Sequence, residues 1–260
     1  RRLEVARGGA RVVAWSMWRL KRALEARALG RFSGIFVLSE VDREWAERIY
    51  PGSRTEILRY PGGLGFTGLP RAEVPGRVGF LGTLQRSANA FGLRRFVQEV
   101  WPLVLERAPE AELVVAGVGA PPDLVAELAA APRVRYLGEV DDIEAFYAAA
   151  SVFVAPILIG GGIIVKVLDA LTAGAPVVTT TFGNEGIRAV PGRDLLVADD
   201  FGEMAAGITG LLRDPSRRGA LGRAGAEFAR RSFSTERFVA TLEAAYERTL
   251  GVSGGGGAAS

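Results

Sequence analysis

The chain has 260 residues, 48% hydrophobic and 23% charged, with a net charge of +3 and neither cysteine nor histidine. This composition excludes a disordered chain, a collagen and a pure coiled coil, and the length allows one or two domains at roughly 150 residues each. Without Cys or His there is no disulfide frame, thiol nucleophile or Ser-His-Asp triad and little scope for zinc, so chemistry falls to carboxylates, Lys, Arg, hydroxyls and backbone groups.

The N-terminal part is basic. Residues 1–31 hold nine Lys/Arg and two Glu, a net +7, against 23 basic and 27 acidic residues in the rest, a net −4. A basic end suits nucleic acid or anionic lipid. A bias toward Arg, which supplies 30 of the 32 basic residues, explains the charge more simply. No nucleic-acid partner is expected. The start at Arg1 and Arg2, without Met, reads as a processed or truncated piece. An amphipathic helix over Val12–Leu29 carries Trp15, Met17, Trp18, Leu20 and Leu24. It packs inside a domain or touches an anionic membrane. A strand follows at Ile35–Leu38, then a helix at Asp42–Ile49 and a strand at Glu56–Arg59. This is one and a half α/β units, and Pro61–Gly76 reads as a linker.

From Arg77 onward the pattern repeats strand, glycine loop, helix. Strands are expected at Val78–Leu81, Leu113–Ala116, Val134–Leu137, Val152–Ala155, Val177–Thr180 and Leu195–Val197. They are short, apolar and β-branched, as strands buried on both faces should be. Helices are expected at Phe91–Arg107, Asp123–Ala131, Ile143–Ala150, Ile164–Ala173 and Glu203–Leu212. The alternation predicts an α/β fold, a Rossmann-like doubly wound parallel sheet. Gly82, Gly117 and Gly138 each follow a strand, and Gly174 with Pro176 ends a helix. The domains expected are residues 1–75, a partial α/β domain with its linker, and 76–231, a complete one. A helix over 232–250 and a disordered Gly/Ala/Ser tail over 251–260 follow.

The densest chemistry lies in Ala155–Ala170, which reads strand, three-glycine loop, helix. Gly160, Gly161 and Gly162 let backbone N–H groups approach a ligand, and the helix N-terminus favours an anion. Lys166 and Asp169 are three residues apart, on one helix face. Lys to phosphate and Asp to ribose hydroxyls suits a nucleotide; a glycine-rich turn with a surface Lys–Asp pair is the plain alternative. The P-loop spacing is not matched. The pairs Asp141-Asp142 and Asp199-Asp200 read as a helix cap and a loop end rather than as metal ligands. Glu185 either contacts a ligand in a loop after a strand or caps a short helix over Gly186–Ala189.

The run Gly160–Gly174, continued by Ala175-Pro176-Val177-Val178-Thr179-Thr180, resembles the GT-B glycosyltransferases, in particular the retaining family 4 group. Val78–Thr83, Ala111–Gly117, Tyr136–Val140, Phe182–Gly186 and Leu195–Asp199 match in order, so the resemblance covers about residues 20–250. It implies two Rossmann-like domains facing across a cleft. The C-terminal one takes a nucleotide diphosphate sugar. Residues 1–75 then correspond to the end of the acceptor domain, and the helix Thr235–Leu250 to one that returns to it.

The same resemblance supplies roles. Asp169 falls at the second carboxylate of an E-x7-E pattern, which holds the ribose, while the first falls at Gly161. The backbone N–H groups of Gly161, Gly162 and Ile163 take its place. The loop after the first donor-domain strand carries Thr83 where relatives have Arg, and Ala88 or Asn89 where they have Lys. Lys166 and Arg86 then carry the phosphate charge, as in a subgroup with a G-G-x-x-x-K loop. Gly82, Thr83, Arg86, Gly160, Gly161, Gly162, Ile163, Lys166 and Asp169 are the expected donor contacts. Gly138, Glu139 and Val140 hold the base edge, and Lys166 and Glu185 are the catalytic candidates. The implied reaction is glycosyl transfer with retention, to a glycan, lipid or small-molecule acceptor. The leaving diphosphate is stabilised by cations and a helix dipole, without metal or other cofactor. A cytoplasmic protein, with contact at the inner face of the membrane, fits this reading. A non-catalytic nucleotide-sugar-binding or scaffold module on the same fold is the alternative.

Overall fold

A computed structural model describes residues 9–32 and 34–250. The chain divides into two compact units, residues 1–59 with 239–260, and residues 60–238. Residues 251–260, expected as a disordered tail, lie outside the described residues.

In the first unit, helix α1 (Gly9–Leu29) precedes strand β1 (Ile35–Val37), helix α2 (Glu40–Ile49) and strand β2 (Thr55–Ile57). The two strands pair in parallel, Ile35 opposite Thr55 and Val37 opposite Ile57. Ser39 caps α2 by accepting from the Asp42 N–H. Arg248, on helix α11 (Thr235–Leu250), pairs with Glu56 of β2.

The second unit contains a six-stranded parallel sheet. Its strands are β3 (Val74–Leu81), β4 (Glu112–Ala116), β5 (Val134–Gly138), β6 (Ala150–Ala155), β7 (Val177–Thr179) and β8 (Leu196–Val197). They lie in the order β5-β4-β3-β6-β7-β8. The chain winds outward from β3 to β5, then returns beside β3 and winds the other way, so the direction switches between β3 and β6. The doubly wound α/β fold expected from the alternating pattern is present. Alternation within the strands feeds two cores. Val78, Phe80, Leu113, Val115, Val152 and Val154 face one side, with Trp101 and Leu124. Phe153, Ala155 and Val177 face the other, with Tyr147, Leu168, Leu171 and Phe228.

Three local differences from the expected elements have physical causes. The expected helix Phe91–Arg107 starts earlier and is broken into α3 (Ser87–Arg95), a π-helical turn (Phe96–Val100) and α4 (Trp101–Arg107). Pro102 lacks an N–H and cannot continue the i→i−4 ladder, and the Trp101 N–H reaches back to the Phe96 carbonyl instead. The stretch read as a linker is built into the second unit. Glu144, in α6 (Ile143–Ala149), accepts from the backbone N–H groups of Thr67, Gly68 and Leu69 at 2.6–2.8 Å and from the Thr67 hydroxyl. Third, helix α10 (Pro215–Ser232) has no counterpart among the expected elements. Its cap is conventional: Asp214 accepts from the Arg217 N–H, and Pro215 opens the first turn. Its buried face, however, is written as Arg218, Leu221, Gly222, Gly225, Phe228 and Ala229. A Cβ on Gly222 would come within 2.4 Å of the Gly174 carbonyl oxygen. Leu221 and Phe228 reach the two cores, and between them the helix comes close through the missing side chains of Gly222 and Gly225.

Candidate donor-sugar site

In a parallel sheet all the loops that follow strands emerge at one edge, and ligands gather where the winding switches. Here the flanking segments are the loop after β3 (Gly82–Arg86) and the loop after β6, which leads through Gly160–Ile163 into α7 (Val165–Thr172). Lys166, in the first turn of α7, spans the switch. Its Nζ donates to Asn89 Oδ1 at 2.9 Å and lies 4.9 Å from the Phe80 ring centroid. A Cβ on Gly82 would come within 2.4 Å of that Nζ, so glycine at 82 makes room for the ammonium. Asn89 in turn donates from Nδ2 to the Thr83 carbonyl at 2.9 Å. One amide thus ties the first loop to the lysine. Burial, and second the positive charge of Arg86, bring the Lys166 pKa down to about 8.

The other loops close on these two. A Cβ on Gly117, which has φ +145°, would come within 1.9 Å of the Gly82 carbonyl oxygen. A Cβ on Gly186 would come within 2.5 Å of the Gly162 backbone. The loop carrying Glu185 therefore lies against the three-glycine loop. Gly160 and Gly162 have φ of +136° and +78°, which suits glycine. Thr180, just after β7, donates to the Ile157 carbonyl at 2.6 Å and fixes the start of the loop after β6.

Asp169 apart, the expected site residues fall in three groups. Gly82, Thr83, Arg86, Gly160, Gly161, Gly162, Ile163 and Lys166 belong to the two segments at the switch. Glu185 ends the short helix α8 (Thr181–Asn184), after β7. No helix covers Gly186–Ala189, so a capping role for Glu185 there is removed. Gly138 ends β5, the edge strand two places from β3, and Glu139 and Val140 follow it. Gly138 has φ +72° and open space where a Cβ would stand.

Asp169 has taken on a structural bond. One carboxylate oxygen accepts from the Gly63 N–H at 2.8 Å. Burial raises its pKa, and that hydrogen bond partly offsets the rise. Asp142 and Asp200 cap α6 and α9 (Phe201–Arg213), and Asp199 accepts from the Thr181 N–H and hydroxyl. Among the described residues no helix is long and apolar enough to cross a membrane. Sequence reasoning passed over Phe80 and the bridging role of Asn89. The only signal for the latter is its place, where related loops carry a lysine.

Comparisons with known proteins agree with this architecture. An uncharacterised 44.6 kDa protein in the cps region of Klebsiella pneumoniae is 31% identical over 130 residues, 46% of this chain and 33% of that protein. A GDP-mannose-dependent monoacylated α-(1-6)-phosphatidylinositol monomannoside mannosyltransferase of Corynebacterium glutamicum is 33% identical over 135 residues, 48% of this chain and 35% of that one. The matched region thus spans about a third of each of these relatives. The structure of sucrose-phosphate synthase from Thermosynechococcus elongatus superposes with a TM-score of 0.72 at 21% identity, covering 90% of this chain and 63% of that one, a likeness of fold. The family model for group 1 glycosyl transferases matches residues 75–214, more than half of the sequence, and the protein belongs to that family.

Proposed function

We propose that residues 60–238 bind a nucleotide diphosphate sugar and serve as the donor side of a glycosyltransferase acting with retention of configuration. The observation that carries the proposal is the Lys166 ammonium, held by Asn89 against Gly82 at the switch between β3 and β6. A buried cation beside glycine loops and a helix N-terminus suits a diphosphate and the charge that develops on it as the glycosidic bond breaks. Arg86 adds a second cation at the mouth. Gly161, Gly162 and Ile163 offer backbone N–H groups to the donor sugar, and Glu185 approaches from the adjoining loop. The acceptor proton passes to the departing phosphate, so the absence of histidine is no obstacle.

The Corynebacterium relative makes GDP-mannose the first donor to try. The acceptor is a glycan, a lipid or a small molecule. Helix α1 exposes Trp15, Met17 and Leu20, with Arg19 over Trp15 at 4.8 Å, which suits contact with an anionic membrane face.

Calorimetric titration of the chain with GDP, UDP, ADP and their common sugars, beside Lys166→Ala, tests the donor site. Binding of one nucleotide family, weakened at least tenfold in the variant, is expected. A folded protein that binds none of them overturns it. Gly161, standing where the resemblance places a carboxylate, favours a second reading, a binding module that does not transfer. Nucleotide binding without release of sugar from the donor, with or without acceptor, distinguishes that reading.

A further inference from the structure

A second concentration of positive charge lies at the other edge of the sheet, where the strands begin. A cavity of about 370 Å³ there is lined by Arg71, Glu73, Thr172, Gly174, Arg218 and Arg223, among others. The residues just before β3, the C-terminal end of α7, the lead into β7 and one face of α10 meet at this place.

The polar partners are unevenly matched. Arg218 is buried; it donates to the Leu211 and Leu212 carbonyls at 2.8 and 3.0 Å and pairs with Glu73 at 2.5 Å. Arg71 donates to the Tyr147 carbonyl at 2.6 Å and to that of Ala150, and lies 3.8 Å from Glu73. Ser151 donates to the same carboxylate at 3.2 Å. One carboxylate therefore serves two guanidinium groups, and among the described residues Glu73 is the only acidic one lining the cavity. Arg223 is exposed at the rim, with Gly219 leaving space beside its guanidinium. Three arginines against one glutamate leave a formal +2 among the lining residues. Arg218 Nε is buried and has no hydrogen-bond partner.

Crowding of this kind has a cost. The Arg71 pKa is lowered by burial, and Arg218 lowers it further against the opposing pull of Glu73. Guanidinium groups do not shed the strain by deprotonating. A bound anion relieves it, and forked donors at partly desolvated sites suit tetrahedral oxyanions. The apolar part of the wall, Ala173, Pro176 and Ala226, and a volume in the range of small-molecule sites leave room for a compact group attached to the anion.

We propose that this cavity binds a small phosphate group, free or carried by a compact metabolite, at a site separate from the donor crevice. The anion bridges Arg223 to the half-buried Arg71 and the buried Arg218 and thereby ties α10 to the start of the sheet.

Thermal unfolding and calorimetric titration of the full chain with inorganic phosphate and with glycerol 3-phosphate, against chloride at equal ionic strength, test this. Expected is a rise in Tm with phosphate that persists in Lys166→Ala. Binding should weaken at least tenfold in Arg223→Glu and clearly in the milder Arg223→Gln. Both substitutions are at an exposed position, and circular dichroism verifies that they fold. Tighter binding of inorganic phosphate assigns the free ion; tighter binding of glycerol 3-phosphate assigns the phosphomonoester. A response that survives Arg223→Glu, or no response from the parent chain, overturns the proposal.

Discussion

Lys166 Nζ sits 2.9 Å from Asn89 Oδ1, joining the helix after β6 to the helix after β3 across the line where the sheet reverses its winding. The bond places one of the two lysines of the chain, partly desolvated, where the two flanking loops meet. The predictions about the donor site follow from that placement.

Binding of a nucleotide diphosphate should depend on pH through Lys166. The ammonium is charged below about pH 8 and loses its proton above it. Affinity should be flat from pH 6.5 to 7.5 and fall as pH rises past 8. The fall approaches tenfold per unit until the pKa of the complex is reached. Calorimetry over this range reads the effect, and Lys166→Ala should flatten the profile.

The same lysine should cost stability. Its pKa is depressed in the folded chain, so the unfolded chain keeps a proton that the folded one gives up between about pH 8 and 10.5. Its unfavourable contribution is therefore full below pH 8 and relieved as pH rises through that window. Lys166→Met should stabilise the protein near pH 7, by about 1–3 kcal/mol in urea unfolding, while losing nucleotide affinity. A destabilised variant would show that the lysine serves the fold.

Asn89 acts as a positioning residue. Asn89→Ala leaves Lys166 without its oxygen partner and should weaken nucleotide binding by about three- to tenfold, the range of one hydrogen bond. Asn89→Asp should move the pH profile upward, because an adjacent carboxylate favours the charged lysine. A scaffolding asparagine would leave the profile in place.

Gly82 and Gly117 should separate binding from folding. The added methyl of Gly82→Ala meets the flexible end of Lys166 and should displace the ammonium with little change in Tm. That of Gly117→Ala meets the Gly82 carbonyl in a backbone conformation that suits glycine, and should destabilise by about 1–3 kcal/mol. Thermal melts beside titrations distinguish the two.

Glu144 anchors the segment ahead of β3. Burial pushes its pKa up, but hydrogen bonds from Thr67, Leu69 and Gly68 bring it below the ordinary value. Its stabilisation is therefore present above the unfolded-state pKa and lost as pH falls through the folded one. Glu144→Ala should cost about 3 kcal/mol at pH 7 and loosen residues 67–69, read by hydrogen exchange.

The parallel sheet could be read from the chain alone, because strands buried on both faces must be short apolar runs and their spacing must hold a helix. Lys166 and the glycine loop could be placed beside each other from the sequence because they lie in one contiguous strand-loop-helix segment; that the winding reverses between β3 and β6 could not, because strand order is set by packing. Helix α10 was not legible, because Gly222 and Gly225 interrupt the contact face between Leu221 and Phe228, and close backbone approach at glycine leaves no hydrophobic signature. Nor did a pattern announce that Glu144 would collect the N–H groups of residues 67–69, or that Asp169 would engage Gly63. Those pairs are 75–77 and 106 positions apart along the chain. Local periodicity follows from which face of an element is buried, and it is written in neighbouring residues. The partner of a carboxylate or an ammonium is chosen only when packing brings distant segments together, and so Asn89, Gly82 and Phe80 became part of the lysine's surroundings through the tertiary fold.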